Sequence, residues 1–343
     1  MKNTFAIAIY IIVGFFMFFF GGCRRENSHQ VNFYYWKANV QAGDVERDYY
    51  NTLGSQKLYI RLFDIDTENG KAVPLGKIKP FRANEAFAGF NKIEFIPVVF
   101  ITNRTFDQYN DKENIRSLAS QVLSLINEMS KYNKIDDYKE IKIDCDWTAG
   151  TKNAYFDFLK ALGEQSKRDV TCTLRLHQVR DKADTGVPPV RKGYLMCYAT
   201  SSPTEGMDRN SILDIGLLKG YTKNINDYPL AFDIALPLYS WGVVKNHLGE
   251  IRLMNGLTAD DLQPPTFRQT GTNTFEVMED CFLQGMYINS GFTIKIEEIT
   301  PELLNETKEY LDKKVKNGYD VVYFHLSKGF LSRFSKNDLK NEK

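Results

Sequence analysis

The side chains with the clearest chemical potential lie in the stretch IKIDCDWTAGT, residues 141–151. Two aspartates, Asp144 and Asp146, follow an apolar run that is typical of a buried β-strand. Since side chains alternate between the two faces of a strand, Lys142, Asp144 and Asp146 share one face. Two carboxylates on one face can bind a polar ligand or exchange a proton with it. The stretch is therefore the first candidate for a functional site.

The alternative interpretation of this carboxylate pair is structural. Buried carboxylates cost free energy unless they are paired, and the sequence offers Arg61, Lys142 and Arg175 as cationic partners. An internal ion-pair network that holds the strands in register therefore stays open beside a functional pair.

The elements that must position these residues follow the order of parallel β/α architecture. Apolar, strand-like runs alternate with segments of helical period along most of the chain. No glycine-rich phosphate loop follows the first strand, so the usual signature of a dinucleotide-binding fold is missing. Eight strands with intervening helices predict a (β/α)8 TIM barrel over residues 31–330. The predicted strands are 31–39, 57–66, 93–103, 141–147, 170–178, 193–200, 230–242 and 320–327.

Two regions depart from the alternation. Residues 250–296 are too long for a βα loop and predict a small, strand-rich insertion between the seventh strand and the last helix. Such an insertion would wall one side of a site. Residues 331–343 predict a polar, solvated tail.

The barrel fold determines where a site should lie, because TIM-barrel sites occupy the carboxyl ends of the strands. Asp146 is then expected at the rim and Asp144 one layer below it. The same counting places Arg175 and His177 on one face of the fifth strand, and Tyr239 and Trp241 on one face of the seventh. The alternative for Asp64 and Asp66 is a strand-end turn or a helix N-cap, and for His177 a satisfied core histidine. For the aromatic residues Trp36, Tyr239 and Trp241 the alternative is filling of the barrel interior. The further candidates at the rim are Trp36, Asp64, Asp66, Gln178 and Glu205.

The fourth predicted strand resembles the signature of the family-18 glycoside hydrolases, the chitinases and endo-β-N-acetylglucosaminidases. That signature is D-x-x-D-x-D-x-E, often with Trp before the Glu. In IDCDWT the residues Asp144, Asp146 and Trp147 match. Ile141 stands at the first Asp of the signature, and Thr148 stands at the catalytic Glu.

Two more strands are similar to this family in the same order. LMCYAT resembles the family's Met-x-Tyr-Asp segment, with Met196 and Tyr198 matching and Ala199 in place of the Asp. ALPLYSWG is similar to G-[IV]-P-x-Y-G, and the predicted insertion falls where many members carry an α+β subdomain. The chain also resembles a group of bacterial lipoproteins.

The resemblance implies a saccharide ligand. In the family the Glu protonates the glycosidic oxygen, the second Asp of the pair orients the N-acetyl group, and the acetamide is the nucleophile. Asp146 is then expected to hold an acetamido sugar and Tyr198 to hydrogen-bond its carbonyl. Thr148 cannot replace the general acid near neutral pH, so the sequence predicts saccharide binding without the family's mechanism. The expected binding residues are Trp36, Tyr239, Trp241, Arg175 and Gln178, beside the catalytic candidates Asp144, Asp146 and Tyr198.

Two other functions remain open from the sequence. An active glycoside hydrolase would need a relocated general acid, for which Asp64, Asp66, His177 and Glu205 are the candidates. A scaffold protein of the cell envelope would use its carboxylates only in a structural network. A saccharide bound in the barrel mouth separates this third function from the other two.

The first 23 residues predict a lipoprotein signal peptide. Lys2 precedes an apolar run, two small residues and Cys23, and this order resembles a bacterial lipobox, where cleavage leaves a diacylglyceryl cysteine. An uncleaved anchor is the alternative, although the run of roughly 16 residues is short for a membrane span of about 20. Residues 24–30 then form a short tether. The protein is expected in the cell envelope, attached to a bacterial membrane through Cys23 and facing outside the cytoplasm.

Composition argues against nucleic acid as a partner. Lysine and arginine number 44 against 43 acidic residues, so the formal net charge is only +1. The cysteines beyond Cys23 have no CxxC or Cys/His spacing, so no metal site is predicted, and they are interpreted as small buried apolar residues. No cofactor is predicted either. These cysteines are Cys145, Cys172, Cys197 and Cys281.

Overall fold

Eight parallel strands form the frame of the computed structural model, which describes residues 29–205 and 209–340. The strands are β1 (Val31–Tyr35), β2 (Lys57–Glu68), β4 (Glu94–Ile101), β5 (Glu140–Asp144), β6 (Asp169–Arg175), β7 (Lys192–Met196), β8 (Ala231–Pro237) and β16 (Val321–Phe324). They pair in this order, and β1 also pairs with β16, so the sheet closes. The predicted (β/α)8 barrel is confirmed. A short strand, β3 (Lys71–Leu75), runs antiparallel to the end of β2.

Helices cover the outside of the barrel. The longest, α4, begins after Asp111, whose side chain accepts a hydrogen bond from the backbone N–H of Asn114. It buries Leu118, Val122 and Ile126, which recur at helical spacing and pack into the main core. The helices are α1 (Asp44–Thr52), α2 (Ala83–Ala86), α3 (Asn103–Gln108), α4 (Lys112–Asn133), α5 (Lys152–Ser166), α6 (Leu176–Arg180), α7 (Lys182–Thr185), α8 (Ile215–Tyr221), α9 (Pro301–Lys314), α10 (Lys328–Leu331) and α11 (Lys336–Leu339), with 3-10 turns at Ile225–Asp227 and Ala259–Asp261.

The predicted insertion is a second, antiparallel sheet. Its strands are β9 (Ser240–Lys245), β10 (Ile251–Asn255), β11 (Phe267–Gln269), β12 (Thr274–Val277) and β15 (Thr293–Glu298), in the order β10-β9-β15-β12-β11, with a separate hairpin of β13 (Cys281–Leu283) and β14 (Met286–Ile288). The sheet has its own apolar core, which includes Leu257, Phe275 and Ile294.

This sheet begins at Ser240, ten positions before the predicted start of the insertion. The strand predicted over 230–242 is really two, since the barrel strand ends at Pro237 and β9 starts three residues later. Both strands are almost wholly buried, so their apolar residues form one continuous run in the sequence.

A second correction concerns the strand predicted over 170–178, which ends at Arg175 and is followed at once by α6. His177 and Gln178 therefore lie on a helix, and His177 does not share a strand face with Arg175. The side chain of Gln178 accepts a hydrogen bond from the backbone N–H of Arg175 at 2.7 Å, a contact that favours a helix start.

The polar tail predicted from residue 331 is folded as far as residue 340. Leu331, Phe334 and Leu339 are buried in the main core. The backbone oxygen of Leu339 also accepts a hydrogen bond from the Tyr323 hydroxyl at 3.1 Å. Three apolar side chains among many charged ones are enough to fold this segment, and composition alone did not reveal them.

The predicted signal peptide, residues 1–23, lies outside the described residues, as does the tether up to residue 28. Within residues 29–205 and 209–340, no helix combines the length and the apolar character that crossing a membrane requires. The cysteines at 145, 172, 197 and 281 are free thiols, and the first three are buried.

The buried position of Leu339 gives a test of the folded tail. Leu339→Ala should lower the free energy of unfolding by about 2–4 kcal/mol, because it leaves a cavity in the core. Urea-induced unfolding measures this loss, with Asn337→Ala on the exposed side of the same helix as the control. Equal stabilities of the two variants would mean that the segment is not packed against the barrel.

Candidate functional site

A cleft of about 640 Å³ opens at the carboxyl ends of the barrel strands. Each of the eight barrel strands contributes a lining residue from its own length or from the few residues after it. The second sheet adds one wall. The lining residues are Trp36, Arg61, Asp64, Phe100, Asp144, Asp146, Arg175, Met196, Tyr198, Ala199, Tyr239, Trp241, Asn255, Phe324, His325 and Phe330.

The cleft brings together most of the site residues that the sequence predicts. Those that line it are Trp36, Asp64, Asp144, Asp146, Arg175, Tyr198, Tyr239 and Trp241.

Four predicted residues do not line this cleft. Asp66 pairs with Arg104 and accepts a hydrogen bond from Thr102. His177 is exposed on α6. Gln178 is fully buried, and its amide nitrogen donates to the backbone oxygen of Trp147 at 2.9 Å. Glu205 lines a neighbouring cavity.

The carboxylate pair has one buried and one exposed member. Asp144 is buried and accepts a hydrogen bond from the Thr173 hydroxyl at 2.6 Å. Burial, reinforced by the negative charge of Asp146, raises the pKa of Asp144 to about 6. Asp146 is about half exposed and lies 3.1 Å from Nε of Arg175. The inner carboxyl group can therefore carry a proton near neutral pH, while the outer one forms an ion pair at the rim.

Lys142, one layer below Asp144, is enclosed by aromatic rings. Its Nζ lies 4.1, 4.9 and 3.6 Å from the ring centroids of Tyr34, Tyr59 and Tyr194. Burial lowers the pKa of Lys142 well below its usual value, although the negative charge of Asp144 acts in the opposite direction. The faces of the tyrosine rings, like the charge of Asp144, favour the protonated form of Lys142. Among the described residues Nζ has no hydrogen-bond partner, so Lys142 is not a salt-bridge partner of Asp144.

The expected ion-pair network is therefore present only in part. Arg175 pairs with Asp146, and Arg61 binds both carboxylate oxygens of Asp64. Asp144 bonds to a hydroxyl group and pairs with no cation in the described part of the chain. The ion pairs of this network therefore include Asp64 and Asp146 but not Asp144.

Aromatic side chains form the walls around these charges. The rings of Tyr239 and Trp241 are 5.3 Å apart, and Trp36 and Phe324 are 5.4 Å apart. Burial raises the pKa of the Tyr198 and Tyr239 hydroxyls far above the usual value, so both groups stay protonated at neutral pH. The cleft thus offers flat apolar faces with neutral hydroxyl groups between them.

The two positions that the family-18 resemblance would make functional hold Thr148 and Ala199. Thr148 does not line the cleft, and its backbone N–H donates to the Thr151 hydroxyl at 3.0 Å. Ala199 lines the cleft with a φ of 52°, the left-handed region that is unusual for a residue with a Cβ atom. Neither side chain can act as a general acid or base near neutral pH.

Sequence reasoning missed His325, which lines the cleft just beyond β16. Burial lowers its pKa to about 4, so the ring is neutral at pH 7. Its position at the end of a barrel strand was the available signal. The other lining residues not predicted as site residues are Phe100, Asn255, Phe324 and Phe330. Met196 and Ala199 were named only as motif positions, and Arg61 was expected only as an ion-pair partner.

The cleft continues into a second cavity of about 710 Å³. The two share Arg175, Ala199 and Trp241 as lining residues. The lining of the second cavity is mixed, with the hydroxyl-bearing Thr200, Ser201 and Ser202 beside apolar neighbours such as Leu217. A ligand longer than one ring could therefore pass from one cavity to the other beside Trp241.

No protein-family model matches the sequence, and no curated protein matches it. Solved structures match in fold. The spore cortex-lytic enzyme SleL of Bacillus megaterium QM B1551 is 14% identical with a TM-score of 0.56, over 92% of this chain and 75% of that one. A chitinase from Chromobacterium violaceum ATCC 12472 is 13% identical with a TM-score of 0.53, over 89% of this chain and 98% of that one. The Group IV chitinase of Ostrinia furnacalis is 12% identical with a TM-score of 0.54, over 92% and 98%.

This chain has the barrel fold of these enzymes. Identities this low establish the fold alone.

The raised pKa of Asp144 gives a pH-dependent test. Its pKa is about 6 in the folded protein and about 4 in an unfolded chain. The stability contributed by the protonated group is therefore fully present below about pH 4 and lost as the pH rises through about 6. Asparagine has no such proton, so Asp144→Asn should become more stable relative to the wild type by about 2–3 kcal/mol between pH 4 and pH 7.

Urea-induced unfolding of both proteins at several pH values measures this difference. Asparagine can still accept the hydrogen bond from Thr173, and Lys142 is present in both proteins. A constant difference in the free energy of unfolding from pH 4 to pH 7 would contradict the raised pKa.

Proposed function

We propose that the protein binds a saccharide in the barrel cleft and does not cleave it by the family-18 mechanism. One observation carries the proposal: aromatic faces flank a rim ion pair and protonated tyrosine hydroxyls in a single open cleft. A pyranose ring has an apolar C–H face and a polar edge, so it requires both kinds of contact at once.

The likeness in fold to the chitinases and to SleL supports the same ligand class. In this proposal Asp146 and Tyr198 hold an acetamido group, and Trp36, Tyr239 and Trp241 stack on sugar rings. The shared wall between the two cavities favours an oligosaccharide over a single sugar. Hydrolysis by the family's route has no proton donor, because Thr148 stands where the resemblance requires a Glu.

A relocated acid is the second candidate function, and the pKa of Asp144 favours it. A carboxyl group with a pKa of about 6 is suited to general acid catalysis near neutral pH. The acids that the sequence predicted are less suitable. Asp64 is held by Arg61 and Asp66 by Arg104, while His177 and Glu205 do not line the cleft.

For localisation we propose the cell envelope, with the mature chain attached to a bacterial membrane by the lipid on Cys23. The order of Lys2, the apolar run and the small residues before Cys23 supports this assignment.

Calorimetry of the chain without residues 1–23 tests the ligand class. We expect heat of binding with N-acetylated oligosaccharides, and a loss of affinity of at least tenfold in Asp146→Asn and in Trp241→Ala, since each removes a contact in the cleft. Asp181→Asn, which alters an exposed ion pair with Arg180 outside the cleft, is the control and should bind like the wild type.

Product release is followed in the same samples over several hours. Binding without release supports a non-catalytic saccharide receptor. If product is released by the wild type but not by Asp144→Asn, the protein is a glycosidase whose general acid is Asp144, and the receptor function is rejected. Absence of binding to neutral and N-acetylated oligosaccharides alike would reject both and leave the scaffold function.

Cys23→Ser tests the lipid anchor separately. The wild-type chain, expressed in a bacterium with its full leader, should fractionate with membranes and incorporate labelled fatty acid. The serine variant should not incorporate label, because a thioether-linked lipid requires the thiol. Labelling of the variant to the wild-type level would contradict the assignment.

A further inference from the structure

Trp241 belongs to the second sheet and not to the barrel. It lies on β9, directly opposite Asn255 of β10 on one side and Glu297 of β15 on the other. Directly opposite residues of antiparallel strands project from the same face, so the three side chains stand side by side. Trp241 also borders both cavities of the cleft.

Glu297 is a buried carboxylate that bonds to both this tryptophan and Ser211. Its Oε2 accepts a hydrogen bond from the indole Nε1–H of Trp241 at 2.8 Å. The same oxygen accepts from the backbone N–H of Ser211 at 3.1 Å and from the Ser211 hydroxyl. Its Oε1 lies 2.6 Å from Nζ of Lys295, which is also buried.

Burying this carboxylate and ammonium side by side costs free energy that an apolar pair would not require. The contacts of the pair point to what it does. Lys295 pairs with one oxygen of Glu297. The other oxygen joins the indole ring to Ser211, which lies two residues beyond Arg209 in the lining of the second cavity. An indole with its N–H bound to a fixed carboxylate can no longer rotate freely about its side-chain bonds.

We propose that Glu297, held by Lys295, is a positioning residue that locks the Trp241 ring as a stacking surface between the two cavities. This inference rests on the proposed saccharide function and adds a residue that sequence motifs did not indicate. The carboxylate acts at the N–H edge of the ring, so it leaves both faces free. It also favours electron density on those faces, to which the electropositive C–H groups of a sugar are attracted.

The test compares Glu297→Gln with Glu298→Gln. Residue 298 is the next one along β15 and pairs with Arg333 at 3.2 Å, away from the indole N–H. Glu297→Gln should weaken binding of N-acetylated oligosaccharide about tenfold, as expected for loss of a charge-assisted hydrogen bond that orders the binding surface. Glu298→Gln should bind within twofold of the wild type.

A double-mutant cycle separates positioning from general damage. Trp241→Phe keeps an aromatic ring but has no N–H for the carboxylate. In that background Glu297→Gln should change affinity by less than twofold, because the contact is already gone. Equal tenfold losses in both backgrounds would overturn the proposal, and so would an unchanged affinity of Glu297→Gln alone.

Fluorine NMR of 5-fluorotryptophan-labelled protein gives a readout that needs no sugar. The three resonances are assigned with single Trp→Phe variants. Glu297→Gln should shift or broaden the Trp241 line and leave those of Trp36 and Trp147 in place. If no sugar binds to the wild type, the proposed function fails. The fluorine resonance of Trp241 still decides whether Glu297 fixes the ring. An unmoved Trp241 resonance in Glu297→Gln overturns the positioning role.

Glu297→Gln leaves Lys295 facing an amide and could prevent folding. The double variant Lys295→Met with Glu297→Gln removes both charges together, which is tolerated better than removing one. It should fold and show the same altered Trp241 line. An unaltered line in this variant counts against the proposal as well.

Discussion

Closure of the barrel is the constraint on which the rest of the structure depends. β1 pairs on one side with β2 and on the other with β16, so Phe33 lies between Leu58 and Tyr323 in the sheet. This pairing joins segments almost three hundred positions apart. The cleft is assembled from residues between Trp36 and Phe330. No single segment of the chain can form it, and the site exists only when the ring of strands is complete.

Closure also creates a gradient of environment along one face of β5 and the two residues that follow it. Lys142 is fully enclosed by tyrosine rings, Asp144 is buried against a hydroxyl group, and Asp146 pairs with Arg175 at the rim. Three ionisable side chains that are nearly adjacent in sequence therefore differ in solvent access and in their partners. Environment, not residue type, determines that the inner aspartate can hold a proton near neutral pH while the outer one forms an ion pair.

The sequence predicted the barrel because its evidence is local: apolar, strand-like runs alternate with segments of helical period, and a closed barrel of eight parallel strands has this order of elements. It also predicted that Asp144 lies deeper than Asp146, which is the more exposed of the two, although the predicted strand 141–147 ends at Asp144 and Asp146 follows it. Strand ends were less predictable. The apolar run through Pro237 conceals a change of sheet, and Leu176 begins a helix although its neighbours have strand-like composition. Contacts between distant segments, such as Trp241 with Glu297, leave no pattern in the sequence that periodicity could reveal.

The second sheet has a consequence for how such a protein can diversify. Trp241, Asn255 and Glu297 lie on three neighbouring strands that all belong to this sheet, and the sheet packs around its own apolar core. One wall of the cleft is therefore carried by strands outside the ring that carries the aspartates, and it joins the barrel where Trp241 packs against the main core and Glu297 bonds to Ser211. Substitutions at positions such as Asn255 can therefore change the shape of one wall of the cleft without altering any of the eight barrel strands.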